Sequence, residues 1–161
     1  MTTTISSLRE IGVAVSDDGR GGLPFTVHAT GDVPGGTIEL DASASSQFVS
    51  GLLLSAPRFR KGVTVVHRGS AIPSLPHIDM TLDMLRAAGA TCVSEASDPT
   101  HARWTVEPGP IALGDYVVEP DLSNAAAFLA AAMVTGGSVT VPGWPSHTTQ
   151  PGDDIRGVFE A

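Results

Sequence analysis

The residues best suited to chemistry in this sequence are hydroxyls gathered at helix starts. Asp41-Ala42-Ser43-Ala44-Ser45-Ser46-Gln47 places three serines, a carboxamide and a carboxylate in one short loop, between a strand-like run and an apolar run with helical spacing. Free backbone N–H groups at a helix start, with hydroxyls beside them, can hold an oxyanion, so a phosphate or carboxylate fits there. The plainer reading, which composition alone favours, is that the serines cap the helix. Capping needs one serine, however, and three are present. Ser74-Leu75-Pro76-His77-Ile78-Asp79 is a second polar cluster entering a helical run. Its hydroxyl and imidazole suit a ligand as well as they suit a capped helix with a surface histidine.

Two further clusters read as structural. Glu119-Pro120-Asp121-Leu122-Ser123-Asn124 repeats the strand-to-helix arrangement but carries two carboxylates, which repel anions, so capping is the better reading there. Asp153 or Asp154 is expected to cap a last short helical run over residues 155–160. Other site types fail on residue type or spacing. No serine sits in a Gly-x-Ser-x-Gly elbow, and no histidine pair has zinc-ligand spacing, with His28, His67, His101 and His147 scattered along the chain. Neither a G-x-G-x-x-G nor a Walker loop follows a strand-like run, so no cofactor is expected, and no metal. Cys92, the single cysteine, excludes an internal disulfide and a thiolate metal cluster; between Thr91 and Val93 it reads as core.

The elements that must position these clusters follow from periodicity. Short β-branched runs alternate with longer segments whose apolar residues recur every three or four positions, the pattern of α/β proteins. Residues 1–10 suggest a helix, and residues 12–16 and 23–28 two strands joined by the turn Asp17-Asp18-Gly19-Arg20-Gly21-Gly22. A strand over residues 36–40 leads to a helix near residues 45–55, with Phe48, Val49, Leu52 and Leu53 on its apolar face and Pro57 near its end. A strand over 63–67 leads to a helix near 76–88 with Ile78, Leu82 and Leu85 in one stripe, Pro76 in its first turn and Gly89 at its C-cap. Strands at 91–94 and 103–106 complete a β-α-β-α-β-β order over residues 36–106. After Pro108-Gly109-Pro110 a strand over 116–119, a helix over 122–135 and a strand over 138–141 begin the order again. Asp41-Ala-Ser43 with Phe48 recurs as Asp121-Leu-Ser123 with Phe128, each offset by 80 positions (121 − 41), which points to repeated units. With parallel strands in such a unit both helices start at one sheet edge, so the clusters at 41–47 and 74–79 are expected to outline one polar pocket.

Totals narrow the class. A chain of 161 residues with 42% hydrophobic content can bury a core. Its longest apolar stretches, residues 51–56 and 125–134, fall well short of the roughly 20 residues that span a bilayer, so no membrane partner is expected. Residues 1–9 show no signal-peptide pattern, which makes the cytoplasm the default location. A net charge of −8, with Lys61 the only lysine, argues against a nucleic-acid partner, since such proteins need a basic face.

The motifs together resemble one family. Ser45-Ser46-Gln47-Phe48-Val49-Ser50 before an apolar helix is similar to the Ser-Ser-Gln-Phe signature of the 5-enolpyruvylshikimate-3-phosphate synthases. Pro73-Ser74-Leu75-Pro76-His77-Ile78-Asp79-Met80-Thr81 resembles the next landmark of that family, and Glu119-Pro120-Asp121-Leu122-Ser123-Asn124-Ala125 a third, in the same order and spacing. The likeness covers essentially the whole chain and looks closest to actinobacterial members, which share the run from Asp41 to Gln47.

The resemblance implies an α/β (α+β) fold of repeated β-α-β-α-β-β units, the inside-out α/β barrel of the enolpyruvyl transferases, present here in part. It implies a chain excerpted from the middle of the enzyme: residues 1–35 as the tail of one unit, 36–110 as a complete unit of the shikimate-phosphate domain, and 111–161 as the start of the next, in the second domain. Family members transfer the enolpyruvyl group of phosphoenolpyruvate to the 5-hydroxyl of shikimate 3-phosphate, releasing phosphate. By resemblance Ser45, Ser46, Gln47 and Ser74 contact shikimate 3-phosphate, and His77 borders it where other members often carry a tyrosine. No catalytic residue of the family maps onto this chain, and phosphoenolpyruvate is a partner only of the full-length enzyme. The expectation is therefore a partial shikimate 3-phosphate site, inactive alone, or a non-catalytic binding or scaffold domain of the same fold. The apolar face of the helix over 122–135, with Phe128, Leu129 and Met133, offers a surface for self-association.

Overall fold

The computed structural model describes residues 1–159 of the chain. The chain divides into two compact units, Met1–Leu113 and Gly114–Ala161.

In the first unit, helix α1 (Thr2–Glu10) precedes a short hairpin of strands β1 (Ala14–Ser16) and β2 (Thr26–His28), paired antiparallel with Val15 opposite Val27. Both strands are shorter than the sequence suggests: Gly12 and Val13 bond back to the end of α1, and β2 begins only at Thr26, after a turn folded around one carboxylate. Asp17 accepts from the Arg9 guanidinium at 2.7 Å and from the Gly21 N–H at 2.9 Å. These contacts hold its carboxyl below the usual carboxylate range, the Arg9 hydrogen bond contributing most and Gly21 next.

A four-stranded sheet follows, in the order β3 (Gly36–Leu40), β4 (Val63–His67), β6 (Arg103–Val106), β5 (Cys92–Glu95). β3 runs parallel to β4 with Ile38 opposite Val65; β4 and β6 are antiparallel with Val65 opposite Trp104, and β5 is antiparallel to β6. Alternation decides which face is covered. Ile38 and Leu40, then Val63, Val65 and His67, then Trp104 and Val106 are all buried. Helices α2 (Gln47–Ser55) and α3 (Leu75–Ala87) contribute Val49, Leu53, Ile78 and Leu82 to the same core. Burying side chains of this size contributes about 1.5–3 kcal/mol each. Cys92 packs half-buried against this core, and burial pushes its thiol up. The Trp104 indole N–H has no partner among the described residues.

Both α1 and α3 end in the same way. Past α1 the Gly12 and Val13 N–H groups bond the Arg9 and Leu8 carbonyls, and past α3 the Gly89 and Ala90 N–H groups bond the Arg86 and Leu85 carbonyls. Gly12 and Gly89 stand at φ +91° and +88°, the left-handed conformation that such a helix end requires.

The second unit holds helix α4 (Leu122–Thr135) and the short helix α5 (Ile155–Phe159), which directly follows a 3₁₀ turn at Pro151–Asp154. α4 has the expected bounds, with the Asp121 carboxylate accepting the Asn124 N–H at 2.9 Å and Gly136 left-handed at its C-cap. The strands expected over 116–119 and 138–141 are absent: these residues have no ladder partner among the described residues, and Val117 and Val118 are exposed. A strand exists only with a neighbour to bond. Asp153 does not cap the last helix either; it accepts the Trp144 indole N–H at 2.6 Å and pairs with Arg156 at 2.8 Å, while the Arg156 guanidinium lies 5.0 Å from the Trp144 ring centre. Residue 160, the expected end of that helical run, lies outside the described residues. Among the described residues no helix is long and apolar enough to cross a membrane, and no group of three or more His, Cys, Asp or Glu could hold a metal.

Candidate functional site

β3 and β4 are parallel, so α2 and α3, each following one of them, begin at the same edge of the sheet. Between the two helix starts lies a cavity of about 410 Å³ lined by Ser45, Ser46, Gln47, Ser74 and His77, with Ser50 and Thr81 deeper between the helices. All five candidate residues read from the sequence thus share one pocket. They come from two segments almost thirty residues apart.

The hydroxyls are not equivalent. Ser45 Oγ accepts the Gln47 N–H at 3.2 Å, an ordinary turn contact. Ser46 occupies the N-cap position of α2, is buried, and makes no side-chain capping bond. Ser74, at the N-cap of α3, also makes none, and its backbone stands at φ +59° and ψ +45°. A non-glycine residue held in the left-handed region is costly by about 1 kcal/mol or more and persists where the surroundings enforce it. Helix capping therefore accounts for none of these three serines. At the third cluster the capping reading is correct, since Asp121 caps α4.

The pocket is held from behind by polar contacts. The Thr81 hydroxyl donates to the His77 carbonyl at 2.8 Å and lies 3.0 Å from the Ser50 hydroxyl, linking α3 to α2. At the strand ends, the Asp41 carboxylate accepts the Ser43 N–H at 2.8 Å and the Ser43 hydroxyl, which hold its carboxyl below the usual range. That hydroxyl also lies 3.0 Å from the Ser70 carbonyl. A Cβ on Gly69 would meet Ser43 Oγ at 2.6 Å and the Asp41 carboxylate, so a larger residue there would force these two side chains to shift.

One residue with no assigned role in the sequence proves central to this corner. His67, fully buried, accepts the Ala42 N–H at Nδ1 (3.1 Å) and donates from Nε2 to the Ser70 carbonyl (2.9 Å). Its position at the inward-facing end of β4 was the only available signal, for a histidine continuing a Val63, Val65 pattern of buried residues needs partners for both ring nitrogens.

Among the described residues no lysine or arginine lines the cavity. As it stands the site offers hydroxyls, a carboxamide, an imidazole and two helix N-termini: donors arranged for an oxyanion, without a counter-charge.

A model of the EPSP synthase (3-phosphoshikimate 1-carboxyvinyltransferase) family matches residues 1–160 of the chain. Among solved structures, the EPSP synthase from Acinetobacter baumannii is similar, with a TM-score of 0.60 and 26% identity over 82% of this chain. The match covers 27% of that enzyme, so the chain spans a minor part of its length.

Proposed function

The chain belongs to the EPSP synthase family, and from that premise we propose that its pocket is part of the binding site for shikimate 3-phosphate. The observation that carries this reading is the pair of uncommitted hydroxyls, Ser46 and Ser74, at two helix starts facing one cavity. In the proposal Ser45, Ser46 and Ser74 hold the phosphate together with the two helix N-termini, Gln47 also contacts shikimate 3-phosphate, and His77 borders it. The whole enzyme transfers the enolpyruvyl group of phosphoenolpyruvate to the ligand's 5-hydroxyl and releases phosphate, a step of the shikimate pathway carried out in the cytoplasm. Residues 36–110 act as one complete unit of the shikimate-phosphate domain, between the tail of a preceding unit (1–35) and the start of one in the second domain (111–161).

The chain alone is inactive in this reading. Charge developing in the transition state needs cationic groups acting together, and none lines the pocket. The same deficit favours a second reading, a non-catalytic domain that binds or scaffolds. Calorimetric titration with shikimate 3-phosphate separates the two outcomes. Binding by the chain that is lost in Ser46→Ala and Ser74→Ala supports the partial site; absence of binding by the unsubstituted chain leaves a scaffold. Turnover of phosphoenolpyruvate by the isolated chain would overturn the inactive reading.

A further inference from the structure

The two halves of the pocket come from different loops, and a ligand gripped by both requires a fixed spacing between them. Residues 41–46 carry Ser45 and Ser46, and residues 68–74 carry Ser74. We propose that His67 is a positioning residue that locks these loops into one unit through its two ring nitrogens; the consequence for binding rests on the reading of the pocket given above.

Nδ1 takes the N–H of Ala42, whose own carbonyl accepts the Ser45 N–H at 3.0 Å and so closes the turn that delivers Ser45 and Ser46 to the start of α2. Nε2 donates to the carbonyl of Ser70, four residues before Ser74. The ring cannot slide, because its backbone N–H is committed to the Ala102 carbonyl at 2.8 Å and the next residue, Arg68, bonds the Leu40 carbonyl at 3.1 Å. One imidazole thus fixes both loops to the end of β4, and the tautomer is dictated: the proton sits on Nε2. His67 is not among the residues that line the cavity. Its effect on a ligand is exerted wholly through the loops.

The test uses the full chain, labelled with ¹⁵N, and two variants. His67→Leu keeps apolar bulk and removes both bonds; His67→Gln keeps one acceptor and one donor. In the unsubstituted chain the expected spectrum shows Nδ1 without a proton, Nε2 with one, and a slowly exchanging Ala42 amide. A proton on Nδ1 or a rapidly exchanging Ala42 amide would overturn the proposal, and this reading holds even if a variant fails to fold. In His67→Leu the amide resonances of residues 42–46 and of Ser70, Ala71, Ile72 and Ser74 should shift together while Leu53 and Leu82 stay in place; shifts confined to one loop would overturn it. Affinity for shikimate 3-phosphate should fall about tenfold or more in His67→Leu, the scale of one buried N–H left without its acceptor, and recover in part in His67→Gln. Unchanged affinity in a folded His67→Leu would also count against it. If the unsubstituted chain does not bind shikimate 3-phosphate, the functional reading fails, while the tautomer and the joint loop shifts still decide the role of His67.

Discussion

Ser46 and Ser74 sit where capping residues sit but do not cap, whereas Asp121 does, and this difference is measurable. Asp121→Ala should cost about 1 kcal/mol of stability in urea titrations, the ordinary loss of a cap. Ser46→Ala and Ser74→Ala should stay within about 0.5 kcal/mol of the parent, as substitutions that remove no structural bond. A loss at Ser74 as large as that at Asp121 would mean that its hydroxyl is structural. Asp17 gives a prediction of another kind. Its folded pKa is depressed, so its stabilising contribution is complete above the unfolded value near 4 and is lost as pH falls through the lower folded value. Asp17→Asn should therefore lower the melting temperature at neutral pH, and the gap should close in acid. A gap that does not begin to shrink as pH falls below the ordinary value near 4 would show that the carboxylate is not the cause. At this scale the sequence revealed the pocket residues, because hydroxyls beside helix starts are a local signal. It did not reveal His67, whose meaning depends on Ala42, 25 positions away.

The strands at 36–40, 63–67 and 103–106 appear with the bounds that periodicity suggests, each because a partner lies within the same unit. The runs at 116–119 and 138–141 have the same β-branched character and form no strand. Propensity is a property of the run; pairing is a property of its surroundings. The end of α3 was legible at Gly89, since glycine in the left-handed region is a local requirement, whereas Gly12, which closes α1, reads in the sequence as the start of a strand. These two ends separate conformational from steric cost. A Cβ on Gly89 meets nothing within 4 Å, while one on Gly12 meets the Pro34 ring at 2.7 Å. Gly89→Ala should cost about 1 kcal/mol for the backbone alone. Gly12→Ala should lower the denaturation midpoint further, and equal losses would show that Pro34 yields. The repeated Asp-x-Ser motif also diverges at this scale: Asp41 folds back on Ser43 well before α2 begins, while Asp121 caps α4 directly.

At the scale of the whole molecule the α/β class and the family were legible because the motifs occur in order along nearly all of the chain. The missing strands mark where a linear pattern needs partners that the described residues do not supply. α4 leaves Phe128 and Met133 exposed and Leu129 half-buried on one side of a helix of 14 residues. If this face drives the proposed self-association, sedimentation should show a concentration-dependent dimer that Phe128→Asp abolishes; a strict monomer for the unsubstituted chain would remove the idea.

The two tryptophans are divided one to each unit: Trp104 is sealed in the sheet, its indole N–H unpartnered among the described residues, and Trp144 is half-buried beneath a guanidinium and bonded to a carboxylate. An indole in apolar surroundings emits at shorter wavelength than one in a polar, partly wet setting, and a dissolved quencher reaches it less easily. The molecule thus carries its own two-colour thermometer, in which the blue component follows melting of the sheet and the red, quenchable component follows the second unit. A single heating run can report whether the two melt together.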